Sequence, residues 1–240
     1  MVATPTCTMA PSTPRKSLRI GVIMEEIQLS DIVGIDIFGN LSHAFYIKAI
    51  GLDPSVATYE PQTLDIEWFY IASTLDPTFA TPSVHFVPTV TYDTCPRDLD
   101  IVIMGGPWPD HRPAPADRFF KEAWASTRVW MTVCTGSMWL ASSGVLDGHR
   151  CTTNRMTLNH AKAAIPGVDW VDRRWVVDAK PYDGEGEGEL WTAGGAGAGI
   201  DMIAQYCIKN FGDKFVHAFS LDGLEFRPDA VHGQFYTKPT

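Results

Sequence analysis

The stretch Val133-Cys134-Thr135-Gly136-Ser137 sets a thiol where an apolar run, Val129 to Val133, gives way to a helix-forming stretch, Gly136 to Ser143, closed by Gly144. A side chain at a strand-to-helix corner of this kind is presented on a tight turn, as in the nucleophile elbow of hydrolases. A thiol at a helix N-terminus also meets unpaired N–H groups and the positive end of the helix dipole, which can lower its pKa from about 8.5 into the range of about 3.5–7.5. The expected chemistry is nucleophilic attack by a Cys134 thiolate. The chain has five cysteines, at 7, 95, 134, 151 and 207, and no CxxC pair. That number and spacing suit neither a disulfide framework nor a zinc site. Cys95, Cys151 and Cys207 lack the turn context and read as packing residues, and Cys7 as inert.

Two other turns carry suggestive residues. Gly105-Gly106 follows the apolar strand Leu99 to Met104, and paired glycines let backbone N–H groups approach a ligand. The run Gly194-Gly195-Ala196-Gly197-Ala198-Gly199 precedes a helix and loosely evokes a dinucleotide loop. Its glycine spacing and late position do not fit that motif, so close helix–strand packing is the better reading. The seven histidines form no HExxH and no i,i+4 pair, so no metal site is expected, and no cofactor. Asp110-His111 could reach a pocket but reads equally well as solvated loop, and Asp183–Glu189 as a solvated acidic turn.

These turns need a scaffold. Leu18 to Met24, Ile66 to Ala72, Leu99 to Met104, Val129 to Val133 and Leu190 to Ala193 read as buried strands, with Val84 to Val87 a third in order and Trp170 to Val177 further strand. Helices are expected from Ser30-Asp31, a plausible cap, through Phe45, then over 113–127, 136–143, 158–164 and 198–210, with 51–64 an inserted loop. Strands that are continuously apolar and alternate with helices indicate a parallel sheet covered on both faces, a doubly wound α/β fold. Ligands then bind outside the carboxyl ends of the strands, where all three turns lie. The expected division is a disordered Thr/Pro/Ser-rich leader over 1–18 and a single domain over 19–240, its tail from Leu221 lying across the surface or against a partner.

Composition narrows the partners. Nineteen Lys and Arg against 28 Asp and Glu give a net charge of −9, and no basic stripe of a nucleic-acid binder is present. No apolar run approaches the roughly 18 residues of a membrane span. Without a secretory signal and with no disulfide framework, a cytoplasmic setting is expected, with small molecules and copies of the chain itself as partners.

The GG turn, the V-C-T-G-S corner, "GVLDGHRCTTN" downstream, "TAGGAGAGID" at 192–201 and "LEFRPD" at 224–229 together resemble the DJ-1/PfpI superfamily, and within it the isonitrile hydratase branch. The likeness runs from about Arg19 to about Tyr236. It implies a flavodoxin-like sandwich, a homodimer, a cysteine nucleophile at Cys134 and an acid from the first helix against its sulfur. In that branch the acid belongs to a D-x-x-G motif, which here occurs twice, at Asp31 and at Asp36. Distance from the first strand favours Asp31. No histidine follows the cysteine, so a Cys–His dyad is not supported there. The Thr152-Thr153 pair is followed by Asn154-Arg155 where the hydratases have His-Trp, a departure that bears on the substrate.

The resemblance implies thiolate addition to an isocyanide carbon, a proton from Asp31, and hydrolysis of the thioimidate to an N-substituted formamide. Backbone N–H groups of Gly106 and Thr135 would stabilise developing charge, by about 3–4 kcal/mol per well-placed donor. Ser137, Thr135 and Thr153 could order the water, and Gly105, Gly106, Asp36, Asn154 and Arg155 would complete the substrate site. Two alternatives stand beside this: another cysteine-dependent activity of the superfamily, such as glyoxalase-type hydration or a biosynthetic lyase step, which an inward-pointing Arg155 would favour, and a non-enzymatic redox sensor based on Cys134.

Overall fold

The computed structural model describes residues 15–237. Cys7 and the leader as far as residue 14 lie outside the described residues, while Ser17 and Leu18, assigned to the leader by sequence, begin the first strand.

The elements run β1 (Ser17–Ile23), β2 (Ile27–Gln28), α1 (Leu29–Ile32), α2 (Ile35–Asn40), α3 (His43–Ala49), a 3-10 segment (Pro54–Gln62), β3 (Asp65–Ala72), β4 (Thr78–Thr81), β5 (Val84–Phe86), β6 (Val90–Thr91) and β7 (Ile101–Met104). They continue with α4 (Ala114–Ala123), β8 (Val129–Val133), α5 (Gly136–Ser142), β9 (Arg150–Cys151), α6 (Leu158–Ala164), β10 (Asp169–Trp170), β11 (Trp175–Lys180), β12 (Gly188–Ala193), α7 (Ala196–Phe211) and α8 (Asp213–Val216). Seven strands form the central sheet in the order β11-β12-β8-β7-β1-β3-β6. All its pairings are parallel except β11 with β12.

The continuous apolar strands bury both faces, as a parallel sheet between helices requires. Successive residues of β7 and β8 alternate between two cores. Ile101, Ile103, Val129, Met131 and Val133 pack with α2 and α7, and Val102, Met104 and Trp130 with α4 and α5. The register aligns Ile23 with Met104, Met104 with Thr132 and Ala193 with Val133, so the turns after β1, β7, β8 and β12 emerge level on one edge. That edge carries every candidate turn. No helix among the described residues is long and apolar enough to cross a membrane.

The single helix expected from Ser30 to Phe45 is instead three short ones. A β-carbon at Gly34 would stand 2.5 Å from Ile203 Cδ1 on α7, so the chain bends where it crosses that helix. Ser42 opens α3 with its Oγ accepting the Phe45 N–H at 3.1 Å. Ser30 is not the cap; Gln28 is, and Asp31 lies buried within α1. Val84 to Val87 does not join the central sheet, since β5 pairs with β4 in a small sheet that also includes β2. The Gly194–Gly199 run serves close packing as read: a β-carbon at Gly199 would meet the Val133 side chain at 2.7 Å. The tail is clamped by Arg174, which pairs with Asp201 on α7 and donates to the Gly233 carbonyl at 2.7 Å.

Candidate active site

Cys134 ends β8 with φ 59°, the left-handed region that a non-glycine residue adopts only under constraint. Three bonds supply the constraint. Its N–H donates to Ala193 O at 3.0 Å, and its carbonyl accepts the hydroxyls of Thr153 at 3.1 Å and Ser137 at 3.3 Å. Ser137 and Thr153 are fully buried and hold the elbow in shape, both hydroxyls donating to its carbonyl. The Thr135 hydroxyl likewise donates to Pro107 O, at 2.9 Å.

The paired glycines bring the β7 turn against this elbow. A β-carbon on Gly136 would stand 2.7 Å from Gly105 O, and one on Gly105 would stand 2.9 Å from the Asp31 β-carbon, so side chains at either position would push the turns apart. Into that junction α1 inserts Asp31, only 3% exposed. Its Oδ2 accepts the Gly106 N–H at 3.1 Å, Oδ1 is buried without a hydrogen-bond partner, and the carboxyl stands beside the Cys134 thiol. The two D-x-x-G candidates thus separate. Asp31 is the acid at the sulfur, and Asp36 is exposed on α2 beside a different, apolar groove lined by Tyr70 and Phe86.

The electrostatics differ from the sequence expectation. Burial, and then the Asp31 charge, push the Cys134 thiol above its ordinary range. Against them work the Asn154 amide, whose Nδ2 donates to Sγ at 3.2 Å, and the Thr135 N–H. The helix-end effect expected to yield a standing thiolate is outweighed because the sulfur is enclosed and faces a carboxylate. Asp31 moves in the same direction: burial pushes its carboxyl up to about 6, opposed by the Gly106 N–H and the thiol. The resting pair near neutral pH is a carboxylate accepting from a thiol. The Gly106 N–H is thus engaged by Asp31, and the Thr135 N–H favours negative charge on the sulfur.

Asn154 touches the sulfur itself, and its Oδ1 is fixed by the Met156 N–H at 3.0 Å. Arg155 points away. Its guanidinium pairs with Asp172 at 2.9 Å and lies 4.5 Å over the Tyr236 ring, so it is no part of the substrate site. A cavity of about 300 Å³ opens onto Cys134, walled by Gly106, Thr135 and Asn154 and by the apolar Pro107, Trp108 and Met156. Glu26 also reaches its wall. Glu25 and Glu26 both follow the carboxyl end of β1, the same positional signal that marked the other turns.

The profile of the DJ-1/PfpI family matches residues 56–207. Isonitrile hydratase of Pseudomonas putida is 30% identical over 143 residues, covering 58% of this chain and 57% of that protein. The chain thus matches little more than half the length of that relative. Among solved structures, a ThiJ/PfpI family protein from Pseudomonas syringae superposes with a TM-score of 0.69 at 20% identity, covering 95% of this chain and 83% of that one. Drosophila melanogaster DJ-1beta gives 0.62 at 15%, over 89% of this chain and 100% of that one. An AraC family transcriptional regulator from Pseudomonas putida gives 0.60 at 12%, over 86% and 97%, a likeness of fold alone. With its parallel sheet wound on both faces and its elbow cysteine inside the matched segment, the chain belongs to the DJ-1/PfpI family.

Proposed function

We propose that this protein is a cysteine-dependent hydratase that adds water to a small isonitrile, giving an N-substituted formamide. The observation that carries the reading is the buried pair itself, Asp31 with one oxygen that no donor satisfies, beside the thiol of an elbow cysteine that opens on a cavity. The likeness to isonitrile hydratase, at 30% identity, supports it.

The chemistry follows from the protonation states. Asp31 takes the thiol proton as sulfur bonds to the terminal carbon of the isonitrile, then delivers that proton to the same carbon, leaving a thioimidate. The Asn154 amide steadies negative charge on sulfur as it develops. Water next bonds to the thioimidate carbon, its proton passing through Asp31 to the nitrogen. The tetrahedral adduct loses its hydroxyl proton to Asp31 as the C–S bond breaks, and Asp31 returns that proton to sulfur. A carboxyl near 6 suits both halves, since proton carriers work best with a pKa close to the operating pH.

The alternatives lose their particular supports. Arg155, the residue that would have suited an anionic oxoaldehyde, is tied to Asp172 outside the cavity. A redox sensor relies on a standing thiolate, and this thiol is pushed up instead. The test is turnover of simple alkyl and aryl isonitriles, followed by the formyl proton of the product. Cys134→Ala should abolish it; full activity in that variant overturns the mechanism.

A further inference from the structure

Resting on the reading of this cavity as the substrate site, we propose that Glu26 makes it selective for substrates whose far end is cationic, and against those ending in an anion. Glu26 is the one charged side chain on the cavity wall among the described residues; the rest of the lining is neutral, including Gln28, Thr81 and Thr157. Asp31 adds negative charge behind the wall, beside the sulfur. No guanidinium or ammonium answers these carboxylates from the lining, since Arg155 is paired elsewhere. Half of the Glu26 side chain stays in contact with solvent, and its Oε2 stands 3.5 Å from His111 Nδ1.

Two further features point the same way. The Glu26 backbone has φ 51°, a left-handed conformation that costs a non-glycine residue free energy. Across the same wall stands Trp108, 74% exposed. An exposed indole and a carboxylate lining one cavity attract an ammonium by cation–π and Coulomb forces together, and offer an anion neither. The preferred substrate is therefore a small molecule with its reacting group at Cys134 and a protonated amine or quaternary ammonium at the other end.

The test reads charge preference at the cysteine without any turnover. Matched methanethiosulfonates with a trimethylammonium, a sulfonate or a plain methyl group each transfer their thioalkyl group to the Cys134 thiolate. An S–S bond forms, the S–SO2 bond breaks and methanesulfinate leaves. Rates are measured in a Cys7→Ser background at about pH 8, where an ordinary imidazole is neutral, with the modified residue located by mass spectrometry. The cationic reagent should react about tenfold faster than the anionic one. Glu26→Gln, which keeps side-chain shape, should close most of that gap when each charged reagent's rate is divided by the methyl reagent's rate in the same variant. Glu185→Gln, on the exposed acidic turn, removes the same charge far away and should leave the gap intact. In the wild-type protein, an ammonium-bearing isonitrile should show a KM about tenfold below its carboxylate analogue. A gap unchanged by Glu26→Gln, or narrowed equally by Glu185→Gln, overturns the selectivity while the hydratase reading stands. A folded protein whose Cys134 resists even the methyl reagent overturns the hydratase reading itself.

Discussion

Two desolvated carboxylates, one buried and one half-buried, lie on the same edge of the sheet and end in opposite states. Asp31 on α1 and Glu25 after β1 are both desolvated, which by itself favours the neutral acid. Around Glu25, burial pushes the carboxyl up, but the surrounding His111 ring and the Ser73 and Tyr92 hydroxyls outweigh it and hold the group below its ordinary value. They act as a polar pocket, because none of these groups meets strict hydrogen-bond geometry with Glu25; His111 Nε2 stands 3.8 Å from its Oε1. Asp31 has a single backbone N–H and a thiol, too little to offset burial, and sits near 6. The supply of donors, more than depth, separates a fixed charge from a carboxyl able to pass a proton at neutral pH.

The largest test of that difference is Asp31→Asn. It should slow isonitrile turnover about 10²–10⁴-fold with the fold intact by circular dichroism, whereas Glu25→Gln should leave the chemical step nearly unchanged. Equal losses in the two variants would break the distinction.

Stability against pH should show opposite slopes. The folded Asp31 carboxyl binds its proton more tightly than the unfolded one, so its contribution is present at low pH and is lost as pH rises from 3.8 through about 6. The amount is about 3 kcal/mol by linkage, an upper figure, and should vanish from denaturant-unfolding curves of Asp31→Asn. Glu25 behaves inversely: its stabilisation is present above its unfolded value and fades as pH falls through its lowered folded value. Glu25→Gln should accordingly cost about 1–3 kcal/mol near neutral pH and less in acid, read from the same curves. The smallest effect is Asn154→Ala, which removes a donor from sulfur. It should move the thiol further up and lower kcat/KM about tenfold, and the change in thiol titration separates this from mere loosening of the loop.

What the sequence revealed follows from how local each signal is. Val129–Val133 running into Thr-Gly-Ser announced the elbow because the strand, turn and helix onset are all neighbours in the chain. The close approach of Gly34 to Ile203 at the break of the first helix was invisible, since Ile203 lies far away on α7. Of the two D-x-x-G motifs, distance from the first strand already favoured Asp31, but the packing of its β-carbon against Gly105, which seats it at the elbow, is a contact between distant parts of the chain. Asn154 and Arg155 were adjacent candidates of which the turn admits one, with Asp172 and Tyr236 drawing the other outward. The sign of the thiol shift escaped entirely, because a helix end can be inferred from sequence but desolvation and an incoming carboxylate cannot.

The most direct measurement is the carboxyl titration of Asp31, followed by its 13Cγ resonance in aspartate-labelled protein and assigned by loss in Asp31→Asn. A midpoint near 6 in the wild type is required, rising in Cys134→Ala where the thiol no longer supports the charged form. A midpoint in the ordinary carboxylate range, indifferent to removal of the thiol, would contradict the pairing on which the proposed chemistry stands.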